Sequence, residues 1–224
     1  MSKKILMVLT GADSLVLADG SAHPTGYWVE EVAASHREFV AAGHHVDIAT
    51  PGGVAPTADK GSLEGADELV AYLGSLGEAL TKPLDLASVS PADYDGVYLP
   101  GGHGPMADLA HDKDLGALLV QADSRGAAVG ALCHGLAGLL AANTADGGFV
   151  FAGRRLTSFS DAEERQALGE NAPWWVEGSL RERGAQVEVG QPWSNTVVVD
   201  GNLVTGQNPQ STVDTAQAFV RVLG

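Results

Sequence analysis

A chain of 224 residues, 45% apolar and 18% charged, has room for one substantial core. Thirteen basic against 28 acidic side chains leave a formal charge of −15, which repels nucleic acid and anionic membrane surfaces. No apolar run approaches the roughly 18 residues needed to cross a bilayer, and a single cysteine forbids an internal disulfide, so a soluble, cytoplasmic protein is expected.

The opening "MSKKILMVLTGAD" has two lysines, but its apolar stretch falls short of the roughly 7–15 residues of a secretory core; residues 4–10 read as a first strand. A helical stretch from about Tyr27 to Ala42, closed by Gly43, leads to a second strand at 45–50. Trp28, Val29, Val32, Phe39 and Val40 define the apolar face of that helix. At about 100° per residue Glu30 then points into solvent, while Glu31 lies on the flank, either as an ordinary helix-start charge or within reach of the sheet edge. Residues 51–90, rich in Gly, Pro, Ala and Ser around a helical piece near 66–80, read as an insertion suited to a cap. Strands at 95–102, 127–133 and 185–190 continue the alternation, with a helix at 114–126 between the first two. "TVVVDGNLVTG" forms a hairpin around Asp200-Gly201, and Asn208-Pro209 opens a last helix with Val213, Ala216, Val220 and Leu223 on its apolar stripe. One α/β domain over 1–224, with a doubly wound, mostly parallel sheet, is the expected fold.

The only cysteine lies in "AVGALCHGLAGLL", where an apolar strand runs straight into a helix-like stretch. A lone cysteine in an apolar run is ordinarily a small buried hydrophobe. Here a strand-to-helix turn, the small residues Ala131 and Gly135 two places to either side, and the adjoining His134 point instead to a nucleophile elbow. Amides at the helix start are expected to lower the thiol pKa, and a neighbouring imidazole serves as acid and base. "YLPGGHGPMAD" is either a tight turn or a ligand-binding loop. In a parallel sheet it emerges at the same carboxyl edge, so Gly101 and His103 are candidate substrate contacts, and the N–H groups of Gly102 and His134 a candidate oxyanion hole. In "TSFSDAEERQ" Ser160 and Glu163 have capping-box spacing, which leaves Glu164 free for solvent or for the site. Trp174 and Trp175 suit core or subunit-interface packing. The adjacent His44-His45 lacks ligand spacing, and no metal is expected.

Together "GALCHG", "LPGGHGP", "TGYWVEE", "LTSFSDAEE" and "DGNLVTGQNP" resemble the ThiJ/PfpI superfamily, in its branch of heat-shock-induced chaperones and glutathione-independent glyoxalases (glyoxalase III), over nearly the whole chain. The resemblance implies a flavodoxin-like sandwich with a class I glutamine-amidotransferase-like core, and a homodimer. It makes Cys133 the nucleophile, His134 its acid/base partner, Glu31 the acid beside the sulfur and Glu164 the third triad member. The implied activity converts a 2-oxoaldehyde such as methylglyoxal to a 2-hydroxy acid with neither cofactor nor metal. A redox-sensing or holdase stress protein, and an amide or peptide hydrolase, would present the same elbow. The late histidine of a glutaminase triad is missing, because no histidine follows His134. The 51–90 segment and Trp174-Trp175 are the places where the pocket is expected to depart from relatives.

Overall fold

The computed structural model describes residues 1–224. After Lys4, strand β1 (Lys4–Val8) is apolar and buried because both of its faces are covered. Ile5 and Met7 pack on one side with Phe39, Tyr98 and Phe219, while Leu6 and Val8 pack on the other with Leu99, Leu115 and Val129. A small hairpin, β2 (Ser14–Val16) and β3 (Ala22–Pro24), follows outside the main sheet. Helix α1 (Val29–Ala41) then returns the chain to β4 (His45–Thr50). After α2 (Asp67–Ser75) and the single turn α3 (Glu78–Thr81) come β5 (Leu84–Asp85) and β6 (Gly96–Leu99). The turn α4 (Gly104–Ala107) and α5 (Lys113–Ser124) lead into β7 (Ala128–Leu132). The remaining elements are β8 (Arg155–Leu156), α6 (Asp161–Ala167), α7 (Val176–Glu182), β9 (Gln186–Val187), the hairpin β10 (Val197–Asp200) and β11 (Leu203–Gly206), and α8 (Thr212–Leu223).

Seven strands form one sheet in the order β10-β11-β7-β6-β1-β4-β5, and only the β10-β11 pair is antiparallel. This is the expected α/β, flavodoxin-like sandwich with helices on both faces. The chain crosses from β4 and β5 to the opposite side of β1 when it enters β6. The carboxyl ends of β1 and β6 therefore flank the point where strand order reverses, and loops opening there form the crevice in which such folds bind ligands. No helix is long and apolar enough to cross a membrane.

Several elements differ from their sequence reading. The 185–190 strand does not join the main sheet: only Gln186–Val187 pairs, with Arg155–Leu156 in a separate ribbon. Val187 is buried and Val189 exposed, so the alternation that mimics a half-buried strand stops after one inward residue. The 51–90 segment is joined to the body of the fold. Its β5 extends the sheet beside β4, and Leu73 of α2 packs in the cluster that holds Val32 and Phe39. Val40 and Val213, placed on apolar faces from sequence, are both exposed. The Pro209–Ser211 segment is a 3-10 turn, so α8 starts only at Thr212 and Val213 points outward from its first turn.

Candidate active site

Cys133 has φ 56°, left-handed for a residue with a side chain, where β7 gives way to a buried 3-10 helix over Cys133–Ala141. Such strain persists only where the surroundings enforce it. Its cause is visible at Gly135, where a Cβ would stand 2.1 Å from the Leu99 carbonyl oxygen. The helix start is clamped against the end of β6, and the turn at Cys133 aims its sulfur out of the sheet's carboxyl edge. Gly102, at φ 94°, lies close against the Gly26 carbonyl, which a Cβ would meet at 2.2 Å. The N–H groups of His134 and Gly102 both donate toward Sγ, the placement expected of an oxyanion hole. Gly101 stands behind them, with its N–H given to Glu31 Oε2 at 2.7 Å and its carbonyl accepting the Trp28 N–H at 2.9 Å. Both backbone groups are thus committed within the protein, and Gly101 positions Glu31 where substrate contact was expected.

Glu31 is wholly buried, unlike the exposed Glu30. Its second oxygen, Oε1, has no hydrogen-bond partner among the oxygens and nitrogens of the protein, and the carboxyl adjoins the Cys133 thiol. Burial pushes its pKa up to about 8, so at neutral pH this group is an acid that holds a proton beside sulfur. The same burial, with Glu31 alongside, pushes the thiol up, against the lowering effect of the His134 and Gly102 amides. The expected depressed thiol pKa is therefore not met: in a dry site desolvation outweighs the amides, and the resting sulfur is protonated.

His134 Nδ1 lies 3.3 Å from Sγ, and its Nε2 lies 2.6 Å from Glu164 Oε2. Burial would raise the Glu164 carboxyl, but His134 and His103 outweigh it and hold the group well below the usual carboxylate range. An ionised Glu164 accepts from Nε2–H and so leaves the Nδ1 lone pair facing sulfur. Burial, reinforced by His103, lowers the His134 pKa despite Glu164; the imidazole is neutral and free to act as base. His103 bonds through Nε2 to the other oxygen of the same carboxylate, at 3.1 Å, with its ring centroid 4.1 Å from that of His134. Glu164 thus orients two imidazoles, one more than the sequence indicated. The ligand atoms of His103, His134 and Glu164 are close enough together to hold a metal ion, but the carboxylate already accepts from both rings.

Above the sulfur is a cavity of about 80 Å³, lined by Trp28, His103, Cys133, His134, Phe159 and Trp193 among others. Phe159 lies over the His134 ring, with centroids 4.3 Å apart, and Trp193 meets Phe159 edge-on at 5.5 Å. Trp193 also has positive φ, 62°, and is held by its N–H on Glu163 Oε1 at 2.7 Å and by its Nε1–H on Gln166 at 2.6 Å. Glu163 closes the expected capping box with Ser160, but it accepts from Gln207 and Asn208 as well. Neither the 51–90 segment nor Trp174 or Trp175 lines this cavity; Trp175 instead carries the Arg165 guanidinium over its ring at 4.5 Å. The aromatic wall of Trp28, Phe159 and Trp193 was not legible as a site. Trp28 reads as part of the helix core, and the other two lie in stretches with no periodicity.

Comparison with known proteins places the chain among relatives. The DJ-1/PfpI family model matches residues 25–222. Glyoxalase 3 of Candida albicans is 31% identical over 232 residues, which cover 97% of each chain. The glutathione-independent glyoxalase HSP31 of Saccharomyces cerevisiae is 30% identical over 237 residues, 99% of this chain and 98% of that one. The crystal structure of glyoxalase III from Candida albicans superimposes with a TM-score of 0.82 at 26% identity, covering 98% of this chain and 97% of that one.

Proposed function

This chain belongs to the DJ-1/PfpI family, and we propose that it converts small 2-oxoaldehydes such as methylglyoxal to 2-hydroxy acids without glutathione. The observation that carries this reading is a thiol placed between a neutral imidazole and a protonated carboxyl, at the floor of a cavity of about 80 Å³. His134 Nδ1 takes the thiol proton as sulfur bonds to the aldehyde carbon, and the developing oxyanion meets the Gly102 and His134 N–H groups. Glu31 protonates that oxygen to complete a hemithioacetal. Its carboxylate then removes the hydrogen of the former aldehyde carbon while the imidazolium protonates the neighbouring carbonyl oxygen, which gives an enediol. Return of the proton from Glu31 to the second carbon, with loss of the first hydroxyl proton to His134, leaves a thioester. Water hydrolyses it, its hydroxyl going to the acyl carbon and its proton to sulfur. The net change is aldehyde plus water to hydroxy acid, with no electron acceptor consumed.

The small cavity of about 80 Å³ over the sulfur suits a small aldehyde better than a peptide. We further propose that residues 1–224 work as one domain, as a homodimer in a reducing, cytoplasmic setting. The direct test is purified protein with methylglyoxal and no glutathione: D-lactate or L-lactate accumulates on this reading, and a folded, reduced enzyme that forms neither contradicts it.

A further inference from the structure

The titratable side chains that line the cavity, Cys133, His103 and His134, gather at its sulfur end, and Trp28, Phe159 and Trp193 wall the rest. No lysine or arginine lines it, so a carboxylate or phosphate on a substrate finds no cation there. On the glyoxalase reading above, we propose that the Trp193 indole is the specificity-determining wall, closing the outer side of the cavity so that only 2-oxoaldehydes with a small apolar substituent reach Cys133.

Exposure separates the three aromatic walls. Phe159 is 4% exposed, packs with Leu132 and Cys133, and lies over the His134 ring, so it cannot yield without moving the base. Trp28 is half-buried at the start of α1, and its N–H is given to the Gly101 carbonyl beside the site. Trp193 is 39% exposed and comes from the loop between β9 and β10. Loss of its indole opens the cavity outward and leaves the partners of His134 and Glu31 in place.

An exposed side chain makes a selective wall only if it is held still, and this one is held at both ends. Its N–H donates to the buried Glu163 Oε1, and the loop around it is tied by the buried Gln207 and Asn208: Gln207 Oε1 accepts the Gly190 N–H at 2.7 Å, and Asn208 Nδ2 donates to the Ser194 carbonyl at 2.8 Å. The indole itself gives Nε1–H to Gln166 and sets its edge against Phe159 at 71°. Both anchors on the tryptophan belong to α6, the helix that carries Glu164. A wall ordered before substrate arrives loses no side-chain entropy on binding, and an apolar pocket of fixed size discriminates by the bulk of what enters it. Within about 80 Å³ a methyl group fits beside two carbonyls, whereas a phenyl ring has to displace the indole.

The test compares wild type, Trp193→Gly and Gln166→Ala for turnover of methylglyoxal and phenylglyoxal. Without aldehyde, it also compares the rates at which iodoacetamide and its N-benzyl derivative alkylate Cys133, the only thiol in the chain. Glycine adopts a φ of 62° without strain, so Trp193→Gly removes the indole and keeps the backbone. Wild type is expected to prefer methylglyoxal in kcat/KM. In Trp193→Gly the phenylglyoxal-to-methylglyoxal ratio should rise roughly tenfold or more, through a lower KM for phenylglyoxal, and the ratio of benzyl to unsubstituted alkylation should rise with it. Gln166→Ala, a change on the exposed side of α6, should shift both ratios the same way by less. An unchanged alkylation ratio in Trp193→Gly, or a retained preference for methylglyoxal, would overturn the proposal while leaving the glyoxalase reading intact. A raised alkylation ratio in a protein that forms no hydroxy acid from either aldehyde would support the wall and overturn that reading instead.

Discussion

At the scale of single residues, the chemistry turns on Glu31 keeping its proton. Its folded pKa of about 8 lies above the ordinary 4.5, so the folded state binds that proton more tightly than the unfolded chain. The stability it contributes is fully present below about 4.5, falls as pH rises toward about 8, and then levels off. Glu31→Gln is uncharged throughout, so denaturant midpoints should shift in favour of the variant as pH rises through that window. Turnover should behave differently. The wild type is expected to lose activity above about pH 8 as Glu31 ionises, and below a limit set by His134, which lies under the ordinary 6.5. Glu31→Gln should lower kcat by about 10²–10⁴-fold and remove the alkaline limb; a variant that kept both rate and limb would free Glu31 of its assigned role. Helix geometry alone leaves Glu31 either a helix-start charge or a residue within reach of the sheet edge, and only the family resemblance sets it beside the sulfur. That its burial would hold the thiol proton in place is not legible in sequence, because desolvation depends on neighbours brought from other elements.

Among the elements, the strand-turn-helix at β7 is the most constrained. Gly135→Ala would drive a Cβ into the Leu99 carbonyl, so it is expected to displace Cys133 and abolish activity; an active, wild-type-stable Gly135→Ala would show that the elbow tolerates relaxation. The small flanks of Cys133 made this element readable from composition. The wall opposite was harder to read. Glu163 accepts from Ser160, Trp193, Gln207 and Asn208, joining the start of α6 to two loops distant in sequence. Local capping explained only one of these bonds. Glu163→Ala leaves several buried donors unpaired and should cost about 3 kcal/mol or more in equilibrium unfolding. A loss below about 0.5 kcal/mol, the range of ordinary surface changes, would mean that water replaces the carboxylate. Trp193 escaped notice for the same reason: its positive φ is stabilised by Glu163 and Gln166, not by any pattern in its own loop.

Across the whole molecule, alternation of strands and helices was enough to anticipate a covered parallel sheet, and the glycine loop and elbow were rightly assigned to its carboxyl edge. Strand membership at the margins was less legible. Residues 185–190 alternate like a half-buried strand, yet the β10-β11 hairpin takes the sheet edge instead. Likewise β5, only two residues long and flanked by turns, carries no strand signal of its own. The proposed homodimer belongs to this scale too: light scattering at micromolar protein should return twice the 23.0 kDa chain mass, and a monomer that is fully active would remove the dimer from the account.

The central claim, that the Cys133 sulfur bonds covalently to the aldehyde during turnover, is tested most directly by rapid quenching of the reaction with methylglyoxal and peptide mass mapping, with Cys133→Ser run alongside. The account predicts an aldehyde-derived adduct on the peptide that holds Cys133 in the wild type, and neither that adduct nor lactate formation above background in the variant. Lactate produced by Cys133→Ser at the wild-type rate would contradict it.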